Sequence, residues 1–451
     1  MKQNIKWLFL LAGTAFTLSI SAQKQWTLQD CINYALENNI SLQKTRLQKQ
    51  SSHEDVLQSQ AALLPTLSAS TGHNVSYTPW PETGRATVAN GYAVNSIDKV
   101  YYNGSYSVNG NWTVWNGNRN TNTVKLNQLT ELQAELDSAT TANSIQEQIA
   151  QLYVQILYSA EAIQVLKQSS ETSKTNENRG KTMVEVGKMS KADLAQLTAQ
   201  RAQDEYNIVE AESNLRNYKR QLKQLLQITD NNPFEIVVPT TTDEMALAPI
   251  PVMNDVYQAA LATRPEIKNA QLGMQQSDLN IAIAKAANLP TVGINAGVST
   301  NTTSMSDNGW GTQLKSNMNL GAGVNVSIPI FDNRQTRTSV NKAVLQKQNY
   351  QLQLRDQQTT LFSTIENYWL QATTNQEKFK TAKITTQSAE TSYELLSEQF
   401  RLGLKNIIEL MNGKDNLLTA RQNELQSKYM TILNINMLKF YQDGTLQGTI
   451  K

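Results

Sequence analysis

The sequence predicts a membrane α+β protein, in which each chain contributes four β-strands and folds most of its remaining length into long coiled-coil helices. Three features of the 451 residues predict this class. The two halves repeat one another at fixed offsets, long stretches contain neither glycine nor proline, and four shorter segments alternate between apolar and polar residues.

The charge balance and the scarcity of reactive side chains exclude several classes of function. The chain has 40 Lys and Arg against 38 Asp and Glu, and the two excess positive charges are Lys2 and Lys6, near the start. The rest of the chain is neutral, which argues against a nucleic-acid partner, because binding to phosphates needs a basic surplus. Cys31 is the only cysteine, and His53 and His73 are the only histidines. We therefore expect no enzyme activity, no metal site and no cofactor.

Residues 1–22 have the pattern of a secretory signal peptide. A positively charged start is followed by an apolar stretch, Trp7 to Ile20, and then by the small residues Ser21 and Ala22. We expect cleavage after Ala22, with cleavage after Ser21 as the alternative. No other apolar run reaches the roughly 18 residues that a membrane helix needs, so the mature chain must cross any membrane in another way.

The two halves of the chain match at two offsets. Residues 61–66 resemble residues 286–291 at an offset of 225, whereas Trp115 matches Phe331 and Gly187 matches Gly403 at an offset of 216. The change from 225 to 216 places nine extra residues in the first half, which predicts a longer surface loop there.

These offsets predict two structural repeats joined by a proline-containing linker, which holds one candidate strand at 235–238. The predicted boundaries are a signal peptide at 1–22, a first repeat at 23–228 with a strand pair at 66–116 and a helical hairpin at 118–228, a linker at 229–252, a second repeat at 253–443 with a strand pair at 290–331 and a helical hairpin at 334–443, and a tail at 444–451.

Long helices are predicted where glycine and proline are absent, at 119–179, 188–232 and 335–402. A helix of about 60 residues is about 90 Å long, which favours a coiled coil over a globular bundle. Apolar residues of the second half follow one heptad register, which predicts a packing seam. These residues are Leu361, Ile365, Tyr368, Ala372, Phe379, Ala382, Ala389, Tyr393, Leu396 and Phe400. The first half repeats the pattern between Ile145 and Leu166.

Four segments show the two-residue period of β-strands. The strongest runs span 102–114 and 319–330, and weaker ones span 67–75 and 292–298. Apolar and small polar residues on opposite faces, over about 10 residues, are typical of a transmembrane β-barrel. The alternative is a soluble sheet that packs its apolar face on protein. Aromatic residues near the ends of these segments resemble the girdles at membrane interfaces, and they are Tyr77, Trp80, Tyr101, Trp112, Trp115, Trp310 and Phe331.

Four strands are too few for a closed barrel, whose smallest common form has about eight. A sheet in lipid must close, because an open edge leaves backbone groups without partners in hydrocarbon. Several copies must therefore share one barrel, and this reasoning allows two, three or four copies.

The motifs taken together resemble the TolC-type outer-membrane efflux proteins. They are the signal peptide, the Leu-Pro-Thr segment before each strand pair, the turns at 115–119 and 331–334, and the Leu402-Gly403 turn. The resemblance implies a homotrimer with a 12-stranded barrel in outer-membrane lipid and a periplasmic α-helical tunnel. It also implies a passive exit duct of a tripartite efflux pump or type I secretion system, with a periplasmic adaptor and an inner-membrane transporter as partners.

The resemblance also assigns two groups of residues. Val186, Gly187, Lys188, Leu402, Gly403 and Leu404 would form the periplasmic tips that dock the adaptor. Phe400, Lys405, Glu409 and Asn412 would form the periplasmic gate. Three of these four depart from the family pattern, because Phe400 lacks a phenolic hydroxyl, Lys405 lacks the guanidinium fork and Asn412 is uncharged. A ring of Glu409 would retain a weak cation preference. The alternative is an ordinary i, i+4 pair of Lys405 and Glu409 on a solvated helix face.

Other functions fit fewer of these features. A surface-anchored structural coiled-coil protein would explain the helices but neither the alternating strands nor the repeated order. A self-sufficient porin would spend nearly all its residues on strands. An exported hydrolase would need paired carboxylates, and the sequence shows no such pairing. The sequence also contains no nucleotide-binding glycine loop that would indicate ATP use. The sequence predicts no particular substrate.

Overall fold

The computed structural model describes residues 25–80, 87–89, 92–94, 98–230, 232, 234–238 and 241–446. The predicted signal peptide and most of the predicted tail lie outside these residues. The elements in chain order are β1 (Gln25–Trp26), α1 (Leu28–Asn38), α2 (Ile40–Ala61), β2 (Thr66–Tyr77), β3 (Thr87–Ala89), β4 (Tyr92–Val94), β5 (Val100–Trp115), α3 (Arg119–Glu185), α4 (Lys191–Leu225), β6 (Glu235–Ile236), α5 (Asp243–Ala246), α6 (Met253–Thr263), α7 (Pro265–Ala286), β7 (Thr291–Thr303), α8 (Trp310–Ser316), β8 (Asn319–Ser327), α9 (Gln335–Arg401) and α10 (Ile407–Asp443).

The two offsets found in the sequence also relate the helices. Helices α1 and α2 recur as α6 and α7 at an offset of 225, and α3 recurs as α9 at an offset of 216. Helices α3 and α9 contain 67 residues each, which makes each about 100 Å long. Both begin after a pair of left-handed residues, Gly117 and Asn118 in the first half and Asn333 and Arg334 in the second.

Four strands form one antiparallel sheet in the order β2-β5-β7-β8, with 12, 16, 13 and 9 residues. The register places Ala69, Val108, Val298 and Leu320 in one row on the same face. The opposite face carries mainly Ser, Asn and Gly. Strand β8 ends at Ser327, three residues before the predicted run ends at 330, because a proline at 329 cannot donate a ladder hydrogen bond.

The two connections between paired strands differ, as the offsets predicted. The connection from β2 to β5 contains the β3–β4 hairpin, whereas the connection from β7 to β8 contains α8, a helix that the sequence pattern did not predict. Gln313 of α8 accepts a hydrogen bond from the Thr303 backbone N–H at 2.7 Å and donates one to the Thr303 carbonyl at 3.0 Å. The Gln313 amide therefore supplies hydrogen-bond partners to the backbone of β7 beyond the point where its pairing with β8 ends.

The main hydrophobic core lies where α3, α9 and α10 meet the short helices. The predicted linker contributes to this core, since Phe234, Ile236 and Ala246 are buried in it. Its candidate strand forms as β6, which pairs in parallel with β1, and the buried Tyr153 hydroxyl donates to the Val237 carbonyl at 2.7 Å.

The heptad seam predicted from the sequence is confirmed, since all ten of the predicted apolar positions of α9 are buried or half-buried. None of the helices in the described part of the chain has both the length and the hydropathy needed to cross a membrane.

Candidate functional site

The two helical hairpins, α3–α4 and α9–α10, end in sharp turns of the same construction. Gly187 and Gly403 both have φ of 75°, a left-handed conformation that favours glycine. The N–H of Lys188 bonds to the Met183 carbonyl at 2.8 Å, which closes the last turn of α3. Leu404 closes α9 in the same way, so each predicted tip is a helix end in which the glycine permits the turn.

The next helix of each hairpin starts from a capping side chain. Ser190 accepts a hydrogen bond from the Asp193 backbone N–H at 3.0 Å, and Asn406 accepts one from the Glu409 N–H at 2.9 Å. Ser190 and Asp193 correspond to Asn406 and Glu409 at the offset of 216. An acidic residue in the first turn complements the positive helix end.

The tips expose apolar side chains. Val186 and Leu402 are each 62% exposed, and Leu404 and Ile408 are 70% and 57% exposed. Apart from the two chain neighbours of each glycine, no described residue has an atom within 4 Å of a Cβ placed on Gly187 or Gly403. Each turn therefore presents an open, partly apolar surface.

The four predicted gate residues differ in their exposure to solvent. Phe400 is 2% exposed and packs with Leu197 of α4 in a small hydrophobic cluster at the tips, which also holds Ile407 and Leu410. Asn412 lies on the exposed side of α10. Phe400 is therefore part of a packed cluster, whereas Asn412 is exposed to solvent.

Lys405 and Glu409 do lie together, as an i, i+4 ion pair in which each side chain is 39% exposed. This is the contact expected of a solvated helix face, and it places a positive charge beside the one acidic gate candidate. Exposed pairs of this kind contribute about 0–1 kcal/mol, so this contact affects the local field more than the stability.

A buried ion pair near the tips was not predicted from the sequence. Lys414 of α10 and Asp204 of α4 are 5% and 4% exposed, and Nζ lies 2.5 Å from Oδ2. Ser173 of α3 donates a hydrogen bond to the same carboxylate at 2.6 Å, and Gln200 donates one to its other oxygen at 3.2 Å. A sequence signal existed, because Asp204 follows Leu197 by one heptad, which places its charge on a packing stripe.

A second polar cluster joins α3 to α4 close by. Glu177 is 5% exposed and bonds to Arg201 at 2.6 Å, to Thr198 at 3.1 Å and to Lys181 at 3.2 Å. Burial by itself would raise the pKa of Glu177, but these three donors together lower it below the usual value. Glu177 is therefore held as a carboxylate inside the hairpin.

Burial also affects Asp415, the residue after the buried lysine. Desolvation raises the pKa of Asp415, the negative charge of Asp204 raises it further, and Lys414 opposes both effects. Gln200 donates a hydrogen bond to this carboxylate at 3.3 Å, so α4 and α10 are joined by a second polar contact.

The apolar face of the four-stranded sheet is exposed in the single chain. Leu67 and Leu320 are 79% and 76% exposed, and Val324 is 69% exposed. A β-bulge between Thr113 and Trp115 brings Trp115 opposite Val292, so Trp115 lies on this apolar face, as Trp112 does opposite Ile294.

The predicted interface aromatics divide between the two ends of the sheet. Trp112, Trp115 and Phe331 lie near the long helices, and the Trp112 indole donates to the Leu63 carbonyl at 2.8 Å. Tyr77, Trp80 and Trp310 lie toward the connections at the other end, and Trp310 packs edge-on against Tyr106. Tyr101 lies on the polar face, opposite Ser76, because neighbouring side chains alternate.

Comparison with known proteins identifies the family. Residues 31–226 and 256–440 match the sequence profile of the outer membrane efflux proteins, so each repeat matches separately. The chain belongs to this family. Its members are channel proteins rather than enzymes, and this chain is an outer-membrane efflux channel through which substrate leaves the periplasm, with its helices in the periplasm.

Individual relatives are distant in sequence but similar over nearly the whole chain. The outer membrane efflux protein BepC of Brucella suis is 19% identical, and the alignment covers 94% of this chain and 86% of that protein. The outer membrane protein TolC of Vibrio cholerae is 20% identical over 96% and 94%. The outer membrane channel CmeC of Campylobacter jejuni has the same fold, with a TM-score of 0.76, 19% identity, and coverage of 92% and 86%.

Proposed function

We propose that three copies of this efflux channel share one 12-stranded barrel and continue into one periplasmic tunnel. The observation that carries the proposal is the open four-stranded sheet. Within the described residues, β2 and β8 each pair with one neighbour only, while Leu67, Leu320 and Val324 are exposed on one face. In an outer membrane, such edges need partners and such a face needs lipid, and strands of a second and third copy would supply the partners.

The helical end supports the second part of the proposal, which concerns the partners. The tips at 186–188 and 402–404 would dock a periplasmic adaptor, which would join this duct to an inner-membrane transporter in a tripartite pump or a type I secretion system. The open glycine turns and the exposed side chains of Val186, Leu402 and Leu404 support this role, because a partner can cover apolar surface that water now contacts.

We propose a gate of three residues in place of the four that the resemblance implied. Lys405, Glu409 and Asn412 are accessible and would line the periplasmic entrance, whereas Phe400 would hold the tip helices together. The Lys405–Glu409 contact reduces the net charge of this ring, so we expect a weak cation preference.

The native mass of the complex tests the shared barrel. The complex is extracted from outer membranes in mild detergent, and its protein mass is measured by light scattering with correction for detergent. Three mature chains per particle are expected. A monomeric particle would contradict the proposal, because each chain would then have to cover both sheet edges by itself.

Adaptor docking is tested at the exposed tip side chains. Leu404→Ser should reduce adaptor capture by crosslinking from the tips, because it removes apolar surface without altering the glycine turn. Leu395→Ser is a matched control, since Leu395 is similarly exposed, at 60%, but lies within α9, nine residues before Leu404. Equal capture by the two variants would argue against docking at the tips.

A further inference from the structure

Polar side chains occur on the apolar face of the sheet, at the end away from the long helices. The register places His73, Gly104 and Thr302 in one row, four residues along β5 from the row of Val108. Because side chains alternate between the two faces, a shift of four residues stays on the same face. This row therefore lies on the face that carries Val108, although its side chains are not apolar.

Hydroxyl groups converge on one point above Gly104. Tyr102 and Tyr106 flank this glycine along β5, and Thr302 lies opposite it on β7. A Cβ placed on the glycine would lie 2.6 Å from Thr302 Oγ1, 2.8 Å from the Tyr102 hydroxyl and 3.1 Å from the Tyr106 hydroxyl. Thr302 Oγ1 is buried, and no hydrogen bond of ordinary geometry joins it to another described residue. The glycine thus leaves open the point at which the three hydroxyls meet.

An imidazole and an indole complete this group. His73 Nδ1 shares a hydrogen bond with the Tyr102 hydroxyl, and the His73 ring stands edge-on to Tyr106, with 5.5 Å between the ring centroids. The Trp310 indole donates a hydrogen bond to the Tyr106 hydroxyl at 3.4 Å, and Trp310 is 59% exposed. We call this group the outer cluster, and its members are His73, Tyr102, Gly104, Tyr106, Thr302 and Trp310.

The chemistry of the outer cluster fits a sugar better than a phosphate. Its side chains are hydroxyls, an imidazole and aromatic rings, without a lysine or an arginine. A sugar has hydroxyls around its rim and apolar C–H groups on its faces, so it can bond to the converging hydroxyls and stack on an exposed ring such as Trp310. A phospholipid phosphate would favour cationic partners instead.

The position of the outer cluster indicates which sugar can reach it. The helices lie in the periplasm, so the end of the sheet away from them lies on the outer side of the membrane. Gly104 lies about 14 Å from Val108 along β5, in that direction. The outer leaflet of an outer membrane presents the sugars of lipopolysaccharide at this level.

We propose that the outer cluster binds the sugar headgroup of a lipopolysaccharide in the outer leaflet. The proposal rests on the proposed shared barrel, because this face of the sheet meets lipid only there. The hydroxyls of Tyr102 and Thr302 bond to the sugar above Gly104, and Trp310 covers an apolar face of its ring. These contacts add recognition of one lipid to the general preference of aromatic side chains for a membrane interface.

Lipid binding to the purified complex tests the proposal. The complex is extracted in mild detergent, and its affinity for fluorescently labelled lipopolysaccharide from the native host is measured by polarisation. Tyr102→Phe combined with Thr302→Val removes two hydroxyls and keeps the aromatic ring, and it should weaken binding about tenfold or more. Tyr101→Phe combined with Thr113→Val is the matched control, since it removes the same groups from the opposite face of β5 and should leave the affinity unchanged.

A second variant retains every hydroxyl of the outer cluster. Gly104→Ala places a methyl group at the point where the hydroxyls meet, so it should also weaken binding. Gly321→Ala is its control, because the nearest described atom beyond the chain neighbours lies 4.0 Å from the added Cβ.

Two measurements separate the outcomes. Light scattering gives the number of chains in the native complex, and a particle without three chains would contradict the shared barrel itself. With three chains present, the sugar site is overturned if unlabelled phosphatidylglycerol displaces the labelled lipid as well as unlabelled lipopolysaccharide does. Native affinity in both the double variant and Gly104→Ala would overturn it equally, since the outer cluster would then serve only to pack the sheet.

Discussion

The substitution Lys414→Met would remove one partner of the buried ion pair and leave the Asp204 carboxylate in place. Breaking a buried pair in this way costs about 3–5 kcal/mol, because the remaining charge is uncompensated. Asp204 is 4% exposed, and the hydrogen bonds from Ser173 and Gln200 remain to stabilise it, so we expect a value near the lower limit. A cost of about 3 kcal/mol raises the local opening constant on the order of a hundredfold.

Hydrogen exchange followed by mass spectrometry measures this opening at the amides of α10 around position 414. The second variant combines Lys414→Met with Asp204→Leu, and its exchange should return close to that of the native chain, because replacing both charges by apolar groups is often neutral or stabilising. Lys405→Met serves as the control, since that residue belongs to an exposed pair. The reasoning is refuted if the single and double variants exchange at the same rate.

Three further predictions concern the tips and the helices above them. In planar bilayers, Glu409→Gln should lower the cation selectivity of the channel, and Lys405→Met should raise it. Unchanged reversal potentials in both variants would show that these residues do not line the entrance. Gly403→Ala should speed amide exchange at the α9–α10 turn, since the left-handed backbone of Gly403 costs about 1–2 kcal/mol for alanine. Gly309→Ala is the control, because Gly309 has an ordinary φ and open space around it, and it should not speed exchange at the start of α8. Glu177 has a lowered pKa, so its contribution to stability is present at neutral pH and is lost as the pH falls through the folded pKa. Glu177→Gln should therefore lower the melting temperature at neutral pH and reduce its further loss in acid, and an unchanged acid dependence would contradict this assignment.

Local periodicity explains what could be predicted about the fold. The absence of glycine and proline over 119–179 and 335–402 predicted long helices, and the seam from Leu361 to Phe400 followed from heptad spacing alone. The apolar rows of the sheet followed from the two-residue period. Short elements such as α8, with 7 residues, give no such signal, because they contain fewer than two full turns of a periodic pattern.

The candidate sites were predictable only where they depend on neighbouring residues. Gly187 and Gly403 were identified as turns, since a helix end needs a left-handed residue that glycine supplies. The gate was predicted as a set of four. Phe400 also fell on the predicted heptad seam and is buried, but its partner in the packed cluster, Leu197, comes some 200 residues earlier in the chain. Sequence spacing along one helix contains no information about such a partner.

The sequence by itself determined the repeat, the lengths of the helices and the alternation of the strands, because each is set by residues within a few turns or pleats of one another. Only the tertiary structure decided which side of the sheet Trp115 occupies, where β6 finds its parallel partner, and that Lys414 meets Asp204 across the two hairpins. Each of these depends on the register between segments far apart in the chain, and that register is fixed by how the packed elements fit together.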